Sequence, residues 1–184
     1  MRKVIASLNM TLDGFIAGPK NELDWHFPLW NDDMYLHARE QLLTTSTIIL
    51  GRVTYESMAA YWPTAPVTDF STMMNSYEKV VFSHTLDKTK WNNARIAASS
   101  IAKEVAQLKQ QEGDNIVIYG SGSLVKEFIN QQLIDEYRLW VHPVFIGNGV
   151  PLFKDPAYKV SLRLLRMKAF SSGVIVLYYQ PAGA

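Results

Sequence analysis

The chain has 184 residues, of which 48% are hydrophobic, a formal net charge of +1 and no cysteine. That size suits one globular domain over residues 1–184 with a sizeable core, and the charge lacks the basic excess of a general nucleic-acid binder. The missing thiols exclude disulfides, thiolate catalysis and cysteine-held metals.

Behind Met1-Arg2-Lys3, the apolar run Val4–Leu8 is too short for a signal peptide, and it reads as the start of a first strand reaching Met10. No stretch approaches the ~20 apolar residues of a membrane span, so a soluble cytoplasmic protein without membrane or nucleic-acid partners is expected. The strand closes at the turn Asp13-Gly14, and a loop rich in Gly, Pro, Asn and Trp runs to about Asn31. Asn31 or Asp32 caps a helix with Met34, Tyr35, Ala38 and Leu42 on its apolar face. The short buried strand Thr47–Leu50 follows, Gly51 ends it, and another helix starts near Val53.

Past the aromatic and proline-rich Tyr61-Trp62-Pro63, Lys79–Ser83 is a further buried strand and Arg95–Ala98 a short one. Ile101, Val105 and Leu108 keep helical spacing until Gly113-Asp114 stops them before the strand Asn115–Tyr119. A helix with Leu124, Val125, Phe128, Ile129 and Leu133 inward starts at Gly120-Ser121-Gly122. Tyr137–Val144 is a long strand, and Val160–Arg166 and Val174–Tyr179 flank the hairpin turn Ser171-Ser172-Gly173. Strand and helix alternating, then strands alone, predict an α/β sandwich: a mixed, mostly parallel sheet with helices on both faces and antiparallel C-terminal strands.

Two glycine turns stand directly behind buried strands: Gly51-Arg52-Val53-Thr54 and Gly120-Ser121-Gly122-Ser123-Leu124. Helix N-terminal amides at strand ends receive phosphates, and Arg52 and Thr54 add a guanidinium and a hydroxyl suited to a phosphate monoester. Thr54 serves equally as a helix cap, and each glycine turn as a tight strand-to-helix connection. Gly120-Ser121-Gly122 begins like a dinucleotide fingerprint, but Val125 replaces its third glycine and no Gly-Lys-Ser/Thr follows for a P-loop. Ser83-His84-Thr85 follows a third strand and reaches the same sheet edge, or is a polar turn.

Asp13, Asp24, Asp32 and Asp33 are the carboxyl candidates for proton chemistry, Asp13 first and Asp32 second. Asp33 and His37, four apart with His26 upstream, lack the third fixed ligand of a metal site, so no metal is assigned. Trp25, Phe27, Trp30, Tyr61 and Trp62 either wall a slot for a flat ring or pack the core. Gly147-Asn148-Gly149 before Val150–Phe153 forms an active-site rim or a plain hairpin. Ser121 and Ser123 do not fit the Gly-x-Ser-x-Gly elbow of a serine hydrolase.

Together, residues 7–17 (Ser-Leu-Asn-Met-Thr-Leu-Asp-Gly-Phe-Ile-Ala), Gly51–Glu56, Tyr119–Leu124 and Pro143–Phe153 resemble the dihydrofolate reductase-like superfamily. The branch they are most similar to is the pyrimidine reductase domain of bacterial riboflavin biosynthesis and its small stand-alone relatives. The resemblance implies a dihydrofolate reductase-like three-layer fold, NADPH extended across the strand ends and a homodimer. It places Gly51, Arg52 and Thr54 at the adenosine 2'-phosphate with Ser83 close by, and Gly120, Ser121, Gly122, Ser123 and Leu124 around the diphosphate. Asp13 and Gly14 would lie near the nicotinamide and a small heterocyclic substrate, either a ribosylaminopyrimidine phosphate or dihydrofolate; a cofactor-binding module without turnover is the alternative. The helix carboxylate of dihydrofolate reductases falls near Tyr35 here, which argues against folate, and the zinc-ligand signature of the riboflavin-pathway deaminase is absent.

Overall fold

The structure, a computed structural model, describes residues 1–153 and 159–183. Its first half runs β1 (Val4–Thr11), β2 (Phe15–Ala17), α1 (Asp32–Leu42), β3 (Thr45–Gly51), α2 (Arg52–Tyr61), α3 (Asp69–Ser76), β4 (Glu78–Phe82) and β5 (Ala94–Ile96). It continues with α4 (Ile101–Gln110), β6 (Asn115–Gly120), α5 (Gly122–Asn130), β7 (Glu136–His142), β8 (Val150–Pro151), β9 (Leu162–Ala169) and β10 (Ile175–Pro181).

Eight strands form one sheet in the order β5-β4-β3-β6-β1-β7-β10-β9. All pairings from β5 to β7 are parallel, and β10 runs antiparallel to both β7 and β9. Side chains alternate across a strand, so successive residues serve opposite layers. Ile49 of β3 joins Val105 and Leu108 of α4 and Leu124, Val125 and Phe128 of α5 on one face. Its neighbours Ile48 and Leu50 join Leu42, Tyr55 and Met74 of α1, α2 and α3 on the other. A third cluster sets Met34 of α1 against Trp140, Phe170, Val176 and Tyr178. The sandwich anticipated from strand and helix alternation is the architecture found, and no helix among the described residues is long and apolar enough to cross a membrane.

The element borders differ in instructive places. Asn31, not Asp32, is the N-cap of α1, accepting from the Met34 amide at 3.1 Å. The strand expected at residues 160–166 occupies Leu162–Ala169, because Phe170 and Val174 close the hairpin from Phe170 N–H to Val174 carbonyl at 2.9 Å. Helix α3 was not visible in the sequence: it opens with a Thr68/Ser71 capping box, in which serine takes the place of the usual glutamate or glutamine. Nor was the two-stranded flap in which Phe15 pairs Pro151 and Ala17 pairs Val150; strands this short carry no readable periodicity.

Lys79 is fully buried on β4, where its ammonium donates to the carbonyls of Asn75 and Asn92 at 2.8 and 2.9 Å and lies 4.4 Å from the centre of the Trp91 ring. Burial pushes its pKa from 10.5 down to about 8. The folded state therefore holds this proton less tightly than the unfolded chain, and the cost of burying the charge disappears as pH rises from about 8 to 10.5. Across that window the wild type should gain stability relative to Lys79→Met in urea unfolding; parallel pH profiles would contradict the assignment.

Candidate active site

Four parallel strands finish at one rim. Gly51 ends β3, Ser83 lies just beyond β4, Ser99 and Ser100 beyond β5, and Ser121 beyond β6. With the starts of α2, α4 and α5 they enclose a cleft of about 800 Å³ lined by Gly51, Arg52, Ser83, Ser121, Ser123 and Leu124 among others. This is the crevice at the carboxyl ends of strands where open α/β sheets take their ligands.

The three helices that open into the cleft start bare. Gly51, Ser100 and Ser121 hold their N-cap positions, and none accepts a hydrogen bond through its side chain. The two helices that do not open there are capped, α1 by Asn31 and α3 by Thr68. Unsatisfied N–H groups and the positive ends of three helix dipoles are thus left facing one space, which favours an anion. Ser99 donates to buried Glu104 at 3.3 Å, and Glu104 also pairs with Arg95, whose guanidinium reaches Glu78 at 2.9 Å; this ties the first turn of α4 to the sheet.

Glycine is required at Gly51 and Gly120 because the two turns touch. A methyl group on Gly51 would overlap Ser121 Oγ and lie 2.9 Å from the Ser121 nitrogen, although the Gly51 backbone itself suits any residue. One on Gly120, where φ is 128°, would stand 3.0 Å from Thr54 Oγ1. The Gly120–Ser121 peptide is cis. Thr54 therefore sits in the joint between the turns, while Arg52 lines the cleft. Gly122 abuts Ile16 of the flap, which links the second turn to β2 and β8.

The polar groups of the cleft are only lightly committed. Arg52 pairs with Glu56 at 2.8 Å, with both side chains close to half exposed; such a surface pair contributes ~0–1 kcal/mol and is easily redirected. Ser121 and Ser123 share a hydroxyl contact of 3.0 Å. Ser83 Oγ accepts from the amides of Thr85 and Leu86 at 3.1 and 2.9 Å, leaving its own proton to donate.

The carboxyl candidates part company. Asp13, in the turn after β1, accepts through Oδ2 from the amides of Ile146 and Gly147 at 3.1 and 2.8 Å and so fastens the rim 143–149. The neighbouring Thr11 hydroxyl, then the Gly147 and Ile146 amides, hold its carboxyl below the usual carboxylate range despite desolvation. At neutral pH Asp13 is an ionised anchor. Asp32 is exposed in the first turn of α1. Asp33 accepts from Ser171, while His37 bonds the Tyr178 hydroxyl, so these two diverge; among the described residues no metal-holding group of three gathers.

The aromatic candidates also separate. Tyr61 packs on Trp62 and Trp62 on Phe70, with ring centres 5.0 and 5.4 Å apart. Trp25 and Trp30 belong to another cluster beyond β1 and β7, around His26, Trp140 and His142. His142 ends β7 with no exposure, and its Nε2 meets Asn9 Oδ1 at 3.2 Å. Burial, reinforced by His26, pushes its pKa down to about 4. Sequence reasoning overlooked it; the signal was a histidine set among the apolar residues of Leu139-Trp140-Val141-His142.

The close approach of the turns predicts that Gly51→Ala destabilises the fold by about 1–3 kcal/mol, the usual range for overpacking. Adding Ser121→Gly should recover part of that loss in urea unfolding, because it removes Oγ and leaves the backbone nitrogen in place. Unchanged stability of the single variant would contradict the contact.

Residues 2–176 match the family model of the RibD C-terminal domain. The uncharacterized Bacillus subtilis protein YyaP is 36% identical over 182 residues, covering 97% of this chain and 94% of its own length. Among solved structures, a protein assigned to riboflavin biosynthesis from Shewanella sp. PV-4 superposes with a TM-score of 0.79 at 20% identity, covering 98% of this chain and 99% of that one. The Thermotoga maritima diaminohydroxyphosphoribosylaminopyrimidine deaminase/5-amino-6-(5-phosphoribosylamino)uracil reductase gives 0.70 at 15% identity, covering 98% of this chain and 57% of that one. Dihydrofolate reductase from Enterococcus faecalis, complexed with NADP(H), gives 0.66 at 16% identity over 97% of this chain and 96% of that one. The fold is dihydrofolate reductase-like, and the chain belongs to the RibD C-terminal domain family.

Proposed function

We propose that this protein is an NADPH-dependent reductase acting on a small heterocycle of the ribosylaminopyrimidine kind. The observation that carries the reading is the cleft into which α2, α4 and α5 open without caps, since it offers fixed backbone donors to several phosphate oxygens at once. Membership of the RibD C-terminal domain family supports a reductase role, and the NADP(H) held by the Enterococcus enzyme supports the class of cofactor.

The residues fit such a cofactor. Gly51 and Gly120 let the two turns touch, which brings the first-turn amides of α2 and α5 together at the cleft where a diphosphate would meet them. In this reading Gly120, Ser121, Gly122 and Ser123 hold the diphosphate with Leu124 behind it. Arg52 and Ser83 take the adenosine 2'-phosphate side, and Thr54 keeps the two turns in register. When bound, NADPH supplies the hydride. The chain contributes orientation and exclusion of water: Ile16 of the flap packs against Gly122, and ionised Asp13 fastens the neighbouring rim through two amides. Asp13 acts here as a positioning acceptor rather than a proton donor.

Fluorescence titration and NADPH oxidation with the riboflavin-pathway aminopyrimidine test the proposal. Arg52→Ala should weaken NADPH by ~1.5 to 3 kcal/mol, the worth of a charge-assisted contact, and leave NADH nearly unchanged. Equal losses for both nucleotides would remove Arg52 from the phosphate site, and absence of NADPH binding at millimolar concentration would overturn the function.

A further inference from the structure

Three aromatic side chains beyond β1 and β7 have a property that the cofactor cleft does not. Trp25 Nε1, His26 Nδ1 and His142 Nδ1 are buried without a hydrogen-bond partner; the one other such atom among the described residues, Asp13 Oδ1, lies in the turn following β1. Buried polar groups are ordinarily satisfied, so a cluster of orphans calls for a ligand that supplies the missing partners. The rings are close enough to address one molecule: His142 lies 5.1 Å from Trp25 and 5.3 Å from His26 between ring centres.

The characters of the His142 and Trp25 atoms follow from chemistry. Asn9 Oδ1 accepts from His142 Nε2, so the ring proton sits on Nε2 and Nδ1 carries a lone pair. Burial keeps that imidazole neutral at physiological pH. Trp25 Nε1 can only donate. An acceptor beside a donor complements a ring N–H next to a carbonyl. Resting on the reductase reading above, we propose that Trp25, His26 and His142 are the recognition site for the hydride acceptor, which presents the N–H and C=O edge of a cyclic lactam to His142 Nδ1 and Trp25 Nε1.

Entry to the site is built into the segment that covers it. Every hydrogen bond made by residues 18–30 among the described residues stays within the segment: Gly18 with Glu22, Asn21 with Gly18, Lys20 with Glu22, Trp25 with Asp24, His26 with Leu23, Leu29 with His26 and Trp30 with Phe27. Apolar contacts hold the aromatic part down, Trp25 and His26 on His142, Trp30 on Trp140 and Leu29 on the Met34 cluster. The segment lifts from His142 without breaking a hydrogen bond, and a flat lactam enters between Trp25 and His142, giving the orphan atoms of both their partners. His26 Nδ1 is then placed to meet a polar substituent beside that edge.

Nitrogen NMR of the full chain with labelled histidines tests the site, using uracil as the lactam and uracil methylated on both ring nitrogens as the control. Uracil should shift the Nδ1 signals of His142 and His26 and leave those of His37 and His84 in place, with the methylated ring about tenfold weaker. Trp25→Phe, which keeps a ring and removes the donor, should weaken uracil by a similar factor; His142→Phe, if folded, assigns the His142 signal. Silence of His142 and His26 at millimolar uracil, or equal response to both rings, overturns the proposal. NADPH added to the same sample reads the cofactor separately: a chain that ignores NADPH while uracil still shifts His142 retains this site and loses the reductase function.

Discussion

The geometry of this molecule turns on the contact between two backbone turns that leave no room for a side chain. Strands β3 and β6 are neighbours, and their register slips between Ile49 and Leu50 so that Leu50 pairs with Gly120. That slip carries Gly51 onto Ser121 and Gly120 onto Thr54. Two helices from opposite faces of the sheet consequently begin next to each other at its carboxyl edge. Close packing makes the arrangement hard to alter, since interiors accept extra volume only by moving backbone or forcing rotamers.

Electrostatics follow from that packing. A helix start normally satisfies its free amides with a neighbouring side chain, and α1 and α3 do so through Asn31 and Thr68. At α2, α4 and α5 the N-cap residues offer no such acceptor, although two of them are serines. Ser121 turns its hydroxyl to Ser123 instead. Potential that capping would spend locally is therefore directed into the cleft. Further along the rim the character changes: Asp13 fixes a loop by accepting amides, and beyond it lies an aromatic cluster in which burial keeps His142 neutral. One end of the strand edge thus suits phosphate and the other an uncharged ring.

Much of this was legible in the chain. The strands Thr45–Gly51 and Asn115–Gly120 announce themselves as aliphatic runs ended by glycine, and those same glycines identify the cleft. Other parts were not legible for physical reasons. The flap of β2 and β8 is held by pairing between residues far apart in sequence, which leaves no local period to read. The role of Asp13 depends on the amides of Ile146 and Gly147, more than 130 positions away. His142 looked like any histidine until burial and the absence of a partner for Nδ1 set it apart. The fourth wall of the cleft, Ser99 and Ser100, was hidden because small polar residues before a helix are ordinary turn chemistry.

In the proposed function, three bare helix starts act as one phosphate site. The most direct measurement is a backbone amide NMR titration of the full chain with NADPH. The first-turn amides of α2, α4 and α5, at Arg52–Val53, Ile101–Ala102 and Gly122–Ser123, should move together along one binding curve, with the capped starts of α1 and α3 unaffected. Movement confined to one helix, or equal movement at all five starts, would contradict it.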